Sequence, residues 1–110
     1  MRRMRKKSKT ASLMAHTQLR MVQRYGHWLE KGTIRELAEM CRLGRFYCHL
    51  GRLSLTRSKI VVKYREGLIP LIYDKKRHCV VTVLTMEMLS AREKALVGAV
   101  GNTPVPGMAS

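Results

Sequence analysis

The chain has 110 residues, 22 Lys and Arg against 7 Asp and Glu, a net charge of +15, and is 45% hydrophobic but only 5% aromatic. That length suits one domain of about 100–150 residues, and the apolar fraction is enough for a core, which excludes wholesale disorder. It excludes equally a core or base-stacking platform built mainly on aromatic rings, a membrane helix needing ~20 apolar residues, and a secretory signal, since no apolar segment follows the basic N-terminus.

The charge is the strongest feature. A surface this basic attracts polyanions, so RNA or DNA is the expected partner, an acidic protein partner fits the same charge, and no membrane partner is expected. Cys41, Cys48 and Cys79 are an odd count without the dense spacing of a secreted scaffold, which points to a reduced, cytoplasmic setting. Cys48–His49 and His78–Cys79 are ligand types for zinc. On strands, however, adjacent side chains point to opposite faces, and the gap between Cys41 and Cys48 matches no common ligand spacing. No metal and no other cofactor is expected.

Residues 1–9 hold six cations, Arg2, Arg3, Arg5, Lys6, Lys7 and Lys9. Such a block repels itself and reads as a disordered, nucleic-acid-binding arm. Residues 10–97 form the single domain, and residues 98–110, rich in Gly and Pro, read as a flexible tail.

Within the domain, Ala11 to Tyr25 is an amphipathic helix. At 100° per residue Ala11, Met14, Val22, Tyr25 and Leu29 share an apolar arc. His16, Arg20, Gln23 and Arg24 lie opposite, joined by His27 if the helix survives Gly26, and Trp28 reads as a core anchor at the helix end. A second helix is marked by the capping box Thr33 to Glu36, buries Ile34, Leu37, Ala38 and Cys41, and ends at Gly44. Strands follow at Ile60–Tyr64, Leu68–Tyr73 and Cys79–Leu84, joined by turns at 65–67 and 74–77 into an antiparallel meander. Pro70 in the middle strand requires a bulge or a late start. A third helix spans Glu87 to Val97, with Ser90-x-x-Glu93 as an alternative start. The fold class is α+β: two N-terminal helices on a small antiparallel meander, then a C-terminal helix, the helices packed on one face.

The run His16-Thr-Gln-Leu-Arg20-Met-Val-Gln-Arg24-Tyr25-Gly26, then Ile60-Val-Val-Lys-Tyr64, Gly67-Leu-Ile-Pro-Leu-Ile-Tyr73-Asp74 and Val80-Val-Thr82-Val-Leu84, resembles small phage and bacterial domains related to the barnase–RelE–colicin superfamily of ribonucleases and toxins. The resemblance covers about residues 12–85. Pro70 and the added C-terminal helix depart from the pattern. It implies a compact α+β fold, a site formed by polar residues of the first helix and the last strands, and metal-independent cleavage of RNA.

That chemistry needs a base for the 2′-hydroxyl, an acid for the leaving oxygen and cations for the phosphorane. His16 titrates near neutrality. Arg20 and Arg24 follow one and two turns along the same face, where each can fork onto phosphate. Tyr73 and Thr82 are polar residues on neighbouring strands able to orient a phosphate or sugar hydroxyl, and these five make the candidate catalytic set. Arg57, Lys59, Lys63 and Arg65 are candidate nucleic-acid contacts from the sheet. A solvated helix face and ordinary strand residues are the alternative reading of the same positions, and no two residues form an unmistakable acid–base couple. No Lys-Ser/Thr phosphate loop, clustered carboxylates or nucleophile elbow is present. Three function classes remain: a small endoribonuclease, for which the helical stripe speaks; a non-catalytic nucleic-acid binder, for which the arm speaks; and a phage inhibitor of an acidic host nucleic-acid-processing enzyme, for which the eight methionines and the missing couple speak.

Overall fold

The computed structural model describes residues 9–102. In chain order these form α1 (Lys9–Tyr25), α2 (Lys31–Arg42), β1 (Cys48–Arg52), β2 (Arg57–Tyr64), β3 (Gly67–Asp74), β4 (Cys79–Val83), a short 3-10 helix (Met86–Met88) and α3 (Ala91–Asn102). The strands make one antiparallel sheet in the order β1-β2-β3-β4, so the α+β class and the meander stand as read.

The sheet has one strand more than expected. β1, Cys-His-Leu-Gly-Arg, is a short edge strand with a glycine and a register shift between His49 and Gly51. It lacks the β-branched run that marks the other three. β2 and β3 pair over their full lengths, from Arg57↔Asp74 to Tyr64↔Gly67.

Pro70 needs neither a late start nor a bulge of its own. The Val61 carbonyl accepts the Tyr47 amide on the β1 side, so Val61 and its partner Pro70 turn their backbone groups away from each other. Pro70 therefore faces the β4 side, one step beyond the last β3–β4 pair, Leu71↔Val83, where its carbonyl accepts the Leu84 amide. The missing N–H costs no ladder bond.

Two cores flank the sheet. Met14 and Met21 of α1, Ile34, Leu37, Ala38 and Cys41 of α2, and Leu29 between them pack on Ile60, Val62, Ile69, Leu71, Tyr73, Val80 and Val83. The helices are not all on one face, because Leu89 and Val97 cover Cys48 and Val61 on the other. Lys59 and Glu93 tie α3 to β2 there, Nζ to Oε2 2.9 Å. α3 packs against β1 on that second face.

Helix boundaries differ from the expected ones in instructive ways. α1 ends at Tyr25 because Gly26 adopts φ +64°, so His27 leaves the helical stripe. Trp28 is exposed, and its neighbour Leu29 is the anchor instead. With Leu29 pinned, α2 starts at Lys31 behind Glu30, which makes no side-chain cap, and Thr33 lies inside the helix rather than capping it. Gly44, φ +76°, closes α2 as expected, with the Arg45 amide reaching back to the Met40 carbonyl. For α3 the alternative start holds: Ser90 Oγ accepts the Glu93 amide at 3.1 Å and Glu93 Oε1 accepts the Ser90 amide at 2.9 Å. α3 then runs through Gly98 to Asn102, past the expected boundary at 97. Residues 1–8 and 103–110, with Arg2, Arg3, Arg5, Lys6 and Lys7, lie outside the described residues, and Lys9 opens α1.

Candidate functional site

The face that α1 buries is rotated from the expected arc. Val22 is 42% exposed, whereas Met14, Thr17, Gln18 and Met21 are buried. Two of those are polar and carry their own partners: Thr17 Oγ1 donates to the Val80 carbonyl at 3.2 Å and Gln18 Nε2 to the Leu29 carbonyl at 3.0 Å. The rotation changes the meaning of the charged stripe. At 100° per residue His16, Arg20 and Arg24 now flank the buried arc on its Thr17 side instead of opposing it. That side runs along β4.

Three side chains of α1, those of Thr17, Arg24 and Tyr25, close on β4 and on Leu84 just after it. Below Thr17, Arg24 Nη1 donates to the Val83 carbonyl and the Tyr25 hydroxyl to the Leu84 carbonyl. These bonds satisfy carbonyls of an edge strand that would otherwise offer itself to another chain. Thr82 Oγ1 lies 3.5 Å from the same Val83 oxygen, so the Arg24 guanidinium and the Thr82 hydroxyl meet on one atom. Arg24 spends one nitrogen of its fork there, and a guanidinium has five N–H donors. Arg20 holds Gln23 Oε1 at 2.7 Å.

His16 completes the row. Partial burial, then the positive charges of Arg20 and Arg24, hold its imidazole below its ordinary value of 6.5. Both guanidiniums thus act on the ring electrostatically, and the ring is neutral at neutral pH, the form of a general base. His16, Arg20 and Arg24 therefore form one row on α1, of which Arg24 reaches the β4 edge, whereas Thr82, paired with Ile72, projects from the sheet face opposite the α1/α2 core and meets the row only at the Val83 carbonyl oxygen.

Tyr73 does not join them. It is 5% exposed in the α1/α2 core, with its hydroxyl 3.4 Å from His78 Nδ1 and its neighbours on α2 and at Cys79. Burial raises its hydroxyl above the ordinary value. The alternation of β3 puts Ile72, not Tyr73, beside Thr82. As a candidate catalytic residue Tyr73 is corrected to a core residue.

The sheet cations divide. Arg57 reaches Asp74 Oδ2 at 3.3 Å, and Lys59 is paired with Glu93. Lys63 is exposed on β2, and Arg65 stands over the Tyr64 ring, 5.3 Å from its centroid. Two of the four thus present uncommitted charge more readily than the others. Asp74, fully buried, also accepts the amides of Lys76 and Arg77.

Residue reasoning missed Tyr25 and Glu87. Tyr25 sat on the expected apolar arc, yet it is the residue that fastens the helix end to Leu84. Burial, then the Glu87 carboxylate, raises its hydroxyl above 10.0, which brings an acidic group to the same end of the row. A tyrosine directly after Arg24 and before a helix-ending glycine was the available signal. Cys41, Cys48 and Cys79 are buried free thiols, and burial pushes Cys41 up to about 12. Among the described residues no three His, Cys, Asp or Glu are grouped to hold a metal ion, and no helix is long and apolar enough to cross a membrane. Comparison with protein-family models, with curated proteins and with solved structures finds no match to this chain.

Proposed function

We propose that this is a small, basic, RNA-binding protein that cleaves single-stranded RNA without a metal ion. The observation that supports the reading is the His16–Arg20–Arg24 row on α1, whose Arg24 reaches the Val83 carbonyl at the β4 edge, 3.5 Å from Thr82 Oγ1. The neutral His16 imidazole takes the proton of a ribose 2′-hydroxyl, and the oxygen attacks the adjacent phosphorus. Arg20 and Arg24 bind the phosphate and the extra negative charge of the phosphorane. Thr82 orients a phosphate or sugar oxygen beside Arg24. The bond to the 5′-oxygen then breaks, that oxygen taking a proton from solvent water, which leaves a 2′,3′-cyclic phosphate on one product and a 5′-hydroxyl on the other. The resemblance to the barnase–RelE–colicin ribonucleases agrees with this chemistry, and buried free thiols suit a reducing, cytoplasmic setting.

The test is incubation with end-labelled single-stranded RNA in EDTA. Cyclic-phosphate ends that disappear in His16→Ala support the reading. Full RNA affinity with no cleavage would make the protein a non-catalytic binder, and cleavage that EDTA abolishes and only added metal restores would overturn the metal-free step.

A further inference from the structure

Beside the row, the end of α1 and the β2–β3 turn enclose an open cup of about 230 Å³. Met21 and Ile69 floor it, and Tyr25, His27, Tyr64 and Arg65 stand around it. The rings of His27 and Tyr64 are 6.5 Å apart at 50°, a wedge rather than a closed stack. Arg65 stands over the Tyr64 ring, held at the turn by a φ of 56°. Tyr25 is fixed at its hydroxyl by the Leu84 carbonyl, so one wall is rigid.

An apolar floor, flat π-faces and a guanidinium at the rim suit a planar, polar-edged heterocycle attached to an anionic chain. Position selects the chain. Tyr25 follows Arg24 directly, so a phosphate on Arg24 puts the next stretch of a polynucleotide at the mouth of the cup. Exposed Arg65 stands at its rim, where the backbone would leave. We infer that the cup holds one unpaired nucleobase of single-stranded RNA, stacked on Tyr64 and His27, with its neighbouring phosphate on Arg24. The inference rests on the RNA reading above and adds to it a base-binding subsite.

The experiment compares a short 2′-O-methyl RNA, which cannot be cleaved through its 2′-oxygen, with the same strand made abasic throughout, on the full chain. The base-bearing strand should bind about 5- to 100-fold tighter, the range of one base–aromatic stack. Tyr64→Ala and His27→Ala should each shrink that ratio, and Tyr64→Phe should keep it. The dependence on salt should be the same for wild type and these variants, because stacking neutralises no phosphate. Equal affinity for both strands, or a ratio that survives both alanine variants, overturns the cup and leaves RNA binding standing. Failure of both strands to bind at about 50 mM salt overturns the cup together with the RNA reading. Should Tyr64→Ala melt early, His27→Ala and the wild-type ratio still decide.

Discussion

His16 works in a narrow electrostatic setting. Because burial and two neighbouring guanidiniums lower its pKa from 6.5, the basic form predominates at neutrality. Cleavage should therefore rise with pH through a midpoint below 6.5 and then level off. His16→Ala should cut the rate by about 10²–10⁴-fold, the range of a lost general base, while RNA affinity stays within about twofold. Removing Arg20 and Arg24 together should raise the midpoint, which would show as a shifted pH–rate profile in a double variant with residual activity. Asp74 is the structural counterpart. Burial alone would push its carboxyl up, but the Arg77 amide, the Arg57 side chain and the Lys76 amide outweigh that and hold it below 3.8. Its stabilisation is thus complete above the ordinary carboxylate value and is lost as pH falls through the lower, folded one. Asp74→Ala should cost about 1–3 kcal/mol in denaturant melts at pH 7. A loss below about 0.5 kcal/mol would mean the turn does not depend on it.

At the scale of elements, α1 is the part on which everything turns. Its three bonds to the carbonyls of Val80, Val83 and Leu84 do two things at once: they close an edge strand, and they set the rotation that brings the charged row to that edge. Thr17→Val keeps the shape but strands a buried carbonyl, so it should cost about 1–3 kcal/mol and lower cleavage as well, since His16 is the adjacent residue. Cleavage unchanged in a destabilised Thr17→Val would separate the row from the docking of the helix. How far this was legible in the sequence follows from the same bonds. The β-branched runs of β2, β3 and β4, the buried stripe of α2 and the box at Ser90 were readable because local pattern and burial agree there. α1 was misread by the rotation because two of its buried positions are Thr17 and Gln18, whose cost of burial is met by distant carbonyls that no periodicity reveals. β1 was missed since an edge strand with a glycine has little pattern to show. Tyr73 was misassigned because a tyrosine beside a turn looks the same whether it faces the core or the solvent. His16, Arg20 and Arg24 were read as lying opposite the buried arc, and they flank it instead.

At the scale of the whole molecule, charge governs association. Six engaged phosphates give a log–log salt slope of roughly −4 to −5 on single-stranded RNA. The cations are not equivalent, however. Lys63→Ala or Arg65→Ala should each flatten the slope by about one unit, whereas Arg57→Ala and Lys59→Ala should change it less, because each is already paired with a carboxylate. A titration over a salt series checks this, and equal effects from all four would show that the ion pairs open on binding. The same +15 charge should also give binding to duplex DNA, so affinity alone does not identify the substrate.

Chemistry does. The decisive measurement is the cleavage, in EDTA, of a DNA strand carrying a single ribonucleotide. The expected result is one cut on the 3′ side of that ribose, ending in a 2′,3′-cyclic phosphate, absent with His16→Ala and absent when the ribose is 2′-O-methylated. Cutting at deoxy positions, or cutting that His16→Ala retains, would contradict the assignment of the α1–β4 edge as a ribonuclease site.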